Sequence, residues 1–160
     1  MHDFDEFYAA QFRPLTLQLY AYLGNREDAQ DVVQEAFCRA LRRWRDVSRY
    51  DDPVVWVRRV AWNLATSRWR RARTAAAFLS RQHHEPVTAE PSPDRVALAA
   101  ALATLPPKQR KAVVLHYLAD LPLADIAAAE GVPVGTVKSW LHRARTSLAS
   151  YFQPSLTETR

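Results

Sequence analysis

Apolar residues recur at helical spacing along most of the 160-residue chain. After Asn25 they fall at i, i+3, i+4, i+7 and i+8, which predicts one amphipathic helix. Asn25 is the expected N-cap of this helix, and acidic residues follow in its first turn. Upstream, aromatic and leucine residues predict one or two further helices, bent at Pro14. The predicted buried stripe of the helix after Asn25 comprises Ala29, Val32, Val33, Ala36, Phe37, Ala40, Leu41 and Trp44.

A second long helix is predicted from Pro53, which suits a first helical position, to Arg73. At 100° per residue its side chains separate into three stripes. The first is an ordinary core face of Val57, Val60, Ala61 and Leu64. The second comprises Arg58, Trp62, Thr66, Trp69 and Arg73. The third comprises Trp56, Arg59, Asn63 and Arg70.

The tryptophans and arginines of the second and third stripes permit two interpretations. In one, the indoles pack on neighbouring helices and the arginine stems lie along the surface. In the other, aromatic rings stack on exposed bases while arginines neutralise the phosphates of the same strand. The second interpretation predicts a platform for opened, single-stranded nucleic acid. Asn63 adds an amide that can read a base edge, and Tyr50 lies in the preceding loop beside this surface.

Residues 123–145 have the pattern of a helix-turn-helix. Gly131 provides the left-handed turn and Pro133 stops the first helix, which buries Ile126 and Ala127. The second helix is predicted to bury Val137, Leu141, Ala144 and Leu148. Its outward side chains suit the major groove of DNA, and a purely structural helical hairpin is the alternative. These outward residues are Thr136, Lys138, Ser139, His142, Arg143 and Arg145.

Between these helical stretches, residues 83–93 contain three prolines and no helical periodicity, which predicts a linker. We therefore expect an all-α fold of two small helical domains joined by a proline-containing linker. The predicted boundaries are 1–80, linker 81–93, 94–152 and a polar tail 153–160. The chain has only 3 glycines, which argues against a hairpin-rich β protein and a glycine-rich phosphate loop.

Charge is distributed unevenly along the chain. Residues 1–38 carry a net charge of −5 and residues 39–73 a net charge of +8, within an overall +5. Residues 105–160 form a second, milder basic stretch of +3. Two basic stretches favour two contacts with a polyanion, and two solvated helix faces are the alternative interpretation.

Several classes of function lack support in the sequence. One cysteine, Cys38, cannot form an intrachain disulfide or a cysteine-based zinc site. Without a second thiol it is interpreted as a small packed residue of its helix, and a redox sensor is the alternative. His142 has no partner at metal-ligand spacing. We therefore predict no catalytic residue, metal or cofactor. The acidic start of the chain is unlike a signal peptide and no apolar run could cross a bilayer, so we expect a cytoplasmic protein without membrane insertion.

Three segments resemble one family, the sigma-70 type RNA polymerase sigma factors, and specifically the extracytoplasmic-function (ECF) group. They are DAQDVVQEAF at 28–37, WVRRVAWNLA at 56–65, and LPPKQR at 105–110 together with the helix-turn-helix that follows. The resemblance implies that residues 1–80 are sigma domain 2, which binds core RNA polymerase and captures the opened −10 element. It implies that residues 94–152 are sigma domain 4, which reads the −35 element. An anti-sigma factor is a further partner that such a protein can have.

The resemblance also assigns residues to these surfaces. The implied polymerase-binding residues are Asp31, Gln34, Glu35 and Arg39. The implied −10 residues, with Asn63 as the base reader, are Arg59, Trp62, Asn63, Thr66 and Arg70, and the residue pattern adds Tyr50 and Arg58 as DNA-binding residues. The implied −35 residues are Lys138, Ser139, His142 and Arg143, and the residue pattern adds Thr136.

Some positions depart from the family pattern. Trp62 and Trp140 stand where arginine is frequent, and Ser67 stands where aspartate is frequent. Trp140 cannot make the phosphate contact of an arginine, so we expect it to pack instead.

Two other functions compete with a sigma factor. An autonomous helix-turn-helix regulator would leave the arginine–tryptophan helix without a role, and a nucleic-acid enzyme would need a catalytic cluster that the sequence lacks.

Overall fold

A computed structural model describes residues 3–76 and 92–153, and the chain divides into two compact units, Met1–Pro91 and Ser92–Arg160. Every regular element in the described ranges is helical, so the all-α prediction is confirmed. Most of the predicted linker, and the tail beyond Gln153, lie outside the described residues. No helix within the described ranges is long and apolar enough to cross a membrane.

Unit 1 contains α1 (Phe4–Leu23), α2 (Arg26–Arg42), the single turn α3 (Trp44–Val47) and α4 (Pro53–Ala76). The side chain of Asn25 accepts a hydrogen bond of 3.0 Å from the Asp28 N–H, which confirms the predicted N-cap. Asp52 caps α4 in the same way, since its carboxylate accepts 3.0 Å from the Val54 N–H. α1 is one helix that continues through Pro14.

The core of unit 1 forms where α1, α2 and α4 meet. The predicted stripe of α2 is buried from Ala29 to Ala40, but Leu41 is 55% exposed and that part of the prediction is wrong. The physical reason is its place in the helix, because Leu41 lies at the edge of the stripe, about 40° beyond Phe37, in the last turn of α2. Trp44 begins α3 and packs on Phe4 and Phe7, with ring centroids 5.3 and 5.1 Å away.

Unit 2 contains α5 (Pro93–Ala103), α6 (Pro107–Val113), a π-helical segment (Val114–Leu118), α7 (Leu123–Glu130) and α8 (Val134–Phe152). The turn between α7 and α8 is the predicted one: Gly131 has φ +67°, a left-handed conformation that glycine adopts without steric cost. The Val132 N–H then donates to the Ala127 carbonyl at 3.0 Å. The helix-turn-helix prediction is therefore confirmed.

The buried guanidinium of Arg110 connects α6 to the end of α5. Arg110 of α6 is only 6% exposed, and its guanidinium donates to backbone carbonyls at the end of α5. The distances are 2.8 Å to Leu102, 3.2 Å to Ala103 and 2.9 Å to Leu105. The Leu102 carbonyl also accepts from the Leu105 N–H at 3.0 Å, whereas the carbonyl of buried Leu105 is an acceptor that Arg110 satisfies.

Candidate nucleic-acid and partner interfaces

The third stripe of α4 is the one that faces solvent. Arg59, Asn63 and Arg70 are exposed, and Trp56 beside them is half-buried. Ser67 is exposed on the same side, between Asn63 and Arg70. The structure therefore brings an amide and two guanidinium groups onto one accessible face, which we call the outer face of α4.

In the second stripe of α4, Trp62 faces inward. Trp62 is 3% exposed, and its ring meets that of Tyr22 edge-on at 5.0 Å and 68°. The prediction that Trp62 stacks on bases is therefore wrong, because its ring faces are covered by α1. Thr66 is half-buried, and its hydroxyl donates to the Trp62 carbonyl at 2.8 Å. Arg58 is half-buried beside residues of α1, and the Arg73 side chain lies outside the described part.

Tyr50 supplies an accessible aromatic ring close to the start of α4. It lies in the turn between α3 and α4 and is 41% exposed. Its backbone N–H donates to the Val47 carbonyl at 3.1 Å, and Val47 is fully buried, so the turn is attached to the core. Arg49 beside it is also exposed. Stacking on a base, which burial rules out for Trp62, is sterically open to Tyr50.

The predicted polymerase-binding residues lie on the solvent side of α2, opposite its buried stripe. Asp31, Gln34 and Arg39 are exposed, and Glu35 accepts from the Arg39 Nε at 3.1 Å, one turn away. We call these four residues the outer face of α2. Cys38 is exposed on the same side, so its interpretation as a packed residue is wrong.

Arg68 links the outer face of α2 to α4, a role that the sequence did not indicate. One of its guanidinium nitrogens, Nη2, lies 3.5 Å from carboxylate oxygens of both Asp28 and Asp31. All three side chains are at least a third exposed, so these ion pairs contribute about 0–1 kcal/mol each. Because the partners are about 40 positions apart in sequence, no local pattern could reveal them.

The outward side chains of α8 share its solvent side as predicted. Lys138, Ser139, His142 and Arg143 are exposed, while Thr136 in the first turn is half-buried. Opposite them, the predicted inward residues Val137, Leu141 and Ala144 are buried and Leu148 is half-buried.

Trp140 lies at the edge of this surface and is half-buried. The Lys108 ammonium is 5.9 Å from the centroid of its ring, within the range of a cation–π contact. This contact with α6 supports the expectation that Trp140 packs. No cluster of three or more metal-ligating side chains occurs in the described ranges.

Comparison with known proteins identifies both units. The Sigma-70 region 2 family matches residues 9–75, and the Sigma-70, region 4 family matches residues 95–148. The ECF RNA polymerase sigma factor SigE of Mycolicibacterium smegmatis is 34% identical over 88% of this chain, which spans 58% of that protein. The RNA polymerase sigma-E factor of Streptomyces coelicolor is 32% identical over 91% of this chain and 84% of its own length.

Solved structures support the fold. The sigma factor RpoE of Bartonella quintana, in complex with the anti-sigma factor NepR, has a TM-score of 0.75 at 21% identity. The alignment covers 97% of this chain and 99% of that one. CnrH, in complex with the cytosolic domain of CnrY, has a TM-score of 0.68 at 22% identity, over 95% of this chain and 88% of its own. From the two region matches and the relatives above 30% identity, the chain belongs to the ECF group of sigma-70 family RNA polymerase sigma factors, DNA-binding initiation factors that direct RNA polymerase to promoters.

Proposed function

We propose that this sigma factor binds core RNA polymerase through the outer face of α2, captures the opened −10 element with the outer face of α4, and reads the −35 element with α8. The observation that carries the proposal is the arrangement of side chains on α4, which buries Trp62 and exposes Arg59, Asn63 and Arg70 together. The polymerase supplies the phosphodiester chemistry, so the factor needs no cofactor, and acting with polymerase it works in the cytoplasm.

At the −10 element, the proposed ligand is a single strand after its bases unstack. Asn63 can hydrogen-bond a base edge, while Arg59 and Arg70 neutralise phosphates on either side of it. Tyr50 offers the stacking surface, and the half-buried Arg58 and Thr66 line the margin of the platform. Stacking is worth about 1–3 kcal/mol per base, which offsets part of the cost of separating the strands.

At the −35 element, α8 is proposed to lie in the major groove. Lys138 and Arg143 reach guanine or phosphate, and Ser139, His142 and Thr136 make shorter polar contacts. Because polymerase holds both units, modest contacts at the two elements combine through effective concentration. An autonomous regulator is not favoured, since it gives the outer face of α4 no role. An anti-sigma factor is a further proposed partner, by analogy with the Bartonella protein.

The −10 assignment is tested by Asn63→Ala. Because Asn63 is exposed, its loss should leave the fold and core binding intact while removing base readout. We expect weaker open-complex formation by reconstituted holoenzyme, measured as reduced permanganate reactivity of the −10 thymines. Gln153→Ala, which removes an exposed amide at the end of α8, is the matched control. Unchanged reactivity in Asn63→Ala would rule out this role.

The polymerase assignment is tested by Glu35→Arg. The change reverses the charge at the centre of the outer face of α2 and removes an exposed ion pair worth less than about 1 kcal/mol, so the protein should fold. We expect co-purification with core polymerase to be lost. Glu6→Arg, an equal charge reversal at an exposed position of α1, should co-purify normally. If Glu35→Arg also co-purifies at the wild-type level, α2 does not bind polymerase through this face.

A further inference from the structure

A hydrogen bond outside the predicted −35 residues crosses the surface of unit 2. The Nη1 of Arg145 on α8 donates to the hydroxyl of Tyr117, at 2.9 Å, in the π-helical segment. The two residues are 28 positions apart, and both are exposed, Tyr117 by 49%. An exposed arginine is therefore attached to a different element from the one that carries it.

Tyr117 is itself held in place by its surroundings. The π-helical turn is closed by the Ala119 N–H, which donates to the Val114 carbonyl at 3.1 Å. The ring of His116 meets the Tyr117 ring edge-on, with centroids 4.8 Å apart at 70°. His116 Nδ1 lies 2.9 Å from the Leu121 carbonyl, and since a carbonyl oxygen can only accept, Nδ1 donates. These contacts fix the position of the Tyr117 ring, so its hydroxyl is held where Arg145 of α8 donates to it.

Arg145 lies on the side of α8 that carries proposed DNA-binding residues. It follows Lys138 by seven residues and His142 by three, so all three lie along one side of the helix, over about 10 Å. A guanidinium has five N–H donors, and the bond to Tyr117 uses one of them. The remaining donors keep the planar fork that matches a phosphate group.

We infer that Tyr117 is a positioning residue that holds the Arg145 guanidinium for contact with a DNA phosphate at the edge of the groove that α8 enters. The inference rests on the proposed reading of duplex DNA by α8. Fixing a long side chain before binding reduces the entropy lost when the phosphate contact forms, so the bond to Tyr117 strengthens that contact without touching DNA.

The contact itself is tested with Arg145→Gln in the full-length protein. Phosphate contacts are independent of sequence, so the probe is a mixed-sequence duplex two helical turns long, titrated at several salt concentrations. We expect weaker binding and a plot of log K against log salt that is shallower by about 0.9, the value for one lost phosphate contact. Arg95→Gln, at an exposed arginine of α5, should leave affinity and slope unchanged.

The positioning role is tested with Tyr117→Phe, which removes the acceptor and keeps the ring against His116. We expect binding to weaken about 2- to 10-fold, the range for one hydrogen bond, with an unchanged salt slope because no charge is lost. The same change made in Arg145→Gln should have no further effect. Tyr151→Phe, which removes an exposed hydroxyl elsewhere on α8, should bind as the wild type.

Two results would overturn the inference: equal behaviour of Arg145→Gln and Arg95→Gln, or an effect of Tyr117→Phe that persists without Arg145. Arg145→Lys covers the case in which the glutamine variant does not fold; because the ammonium keeps the charge but lacks the planar fork, it should keep the salt slope and bind more weakly than the wild type. Lys138→Gln separates this inference from the proposed function. If the Lys138→Gln variant binds as tightly as the wild type, the proposed reading of the groove by α8 is wrong. If Lys138→Gln weakens binding and Arg145→Gln does not, only the role of Arg145 is refuted.

Discussion

The indole of Trp62 is buried in the interior of unit 1, where it meets the ring of Tyr22 edge-on. Neighbouring Asn63 is exposed, so two consecutive residues of α4 serve stability and recognition separately. A substitution of either residue can lower promoter activity, but for different reasons. Stability measurements distinguish the two.

We predict that Trp62→Ala lowers the free energy of unfolding by about 3–5 kcal/mol, because it removes a large buried ring and leaves a cavity. Urea denaturation followed by circular dichroism measures the change. Arg59→Ala, at an exposed position less than one turn away, should stay within about 0.5 kcal/mol of the wild type. A loss below about 1 kcal/mol for Trp62→Ala would contradict the packing described above.

Asp120, which follows the π-helical segment, has φ +55°. This left-handed conformation costs about 1–2 kcal/mol for a residue with a Cβ, although aspartate tolerates it better than most. Asp120→Gly should therefore raise the free energy of unfolding by about 0.5–1 kcal/mol, after part of the gain is offset by the greater freedom of the unfolded chain. Asp125→Gly in α7 should lower it by about 0.5–1 kcal/mol, because glycine is the poorer helix former and the carboxylate interacts favourably with the first turn. Thermal unfolding of both variants shows whether their effects are opposite in sign.

Helices α5 and α6 depend on one another through Arg110. In Arg110→Met the side chain keeps much of its length, but the carbonyls of Ala103 and Leu105 lose their guanidinium donor, and that of Leu102 keeps only the Leu105 N–H. We predict a loss of about 1–3 kcal/mol of unfolding free energy, because Leu105 is buried and one buried acceptor left unpaired costs about that amount. Arg95→Met is the control, and an equal effect of both changes would show that Arg110 acts only through its charge.

The features of these helices that the sequence predicts are those determined by a few neighbouring residues. Asn25 caps α2 and Gly131 makes the turn before α8 because a cap or a left-handed turn depends on local backbone geometry. Which face of α4 is exposed could not be predicted in this way. The two stripes of α4 that contain tryptophan have the same periodicity, and only the position of α1 decides which of them is covered. The acceptors of Arg110 are backbone carbonyls, which every residue possesses and no residue type marks.

Each of the two units has a core of its own. We predict that they unfold independently, because a change confined to one core removes no contact from the other. In amide hydrogen exchange measured by mass spectrometry, Trp62→Ala should accelerate exchange in α1, α2 and α4, and Arg110→Met should accelerate it in α5–α8. Acceleration in both units by either change would contradict independent unfolding.

Charge is divided within unit 1 as well. The net charge of −5 in residues 1–38 includes the carboxylates of the outer face of α2, and the net charge of +8 in residues 39–73 includes the arginines of the outer face of α4. Polymerase and DNA are thus proposed to meet opposite charge within one unit. The sequence predicted this division, whereas the contact between the two stretches required the structure.

That contact is the ion pair of Arg68 with Asp28 and Asp31. This contact affects how mutants are interpreted, because a polymerase-binding defect of an Asp31 variant has two origins. One is the loss of the Asp31 carboxylate itself, and the other is that the Arg68 guanidinium on α4 loses one of its two counter-ions. Gln34 is exposed on the same face and has no charge to leave unbalanced. A mutational map of this surface should therefore begin at Gln34 and interpret every Asp31 phenotype alongside its double mutant with Arg68.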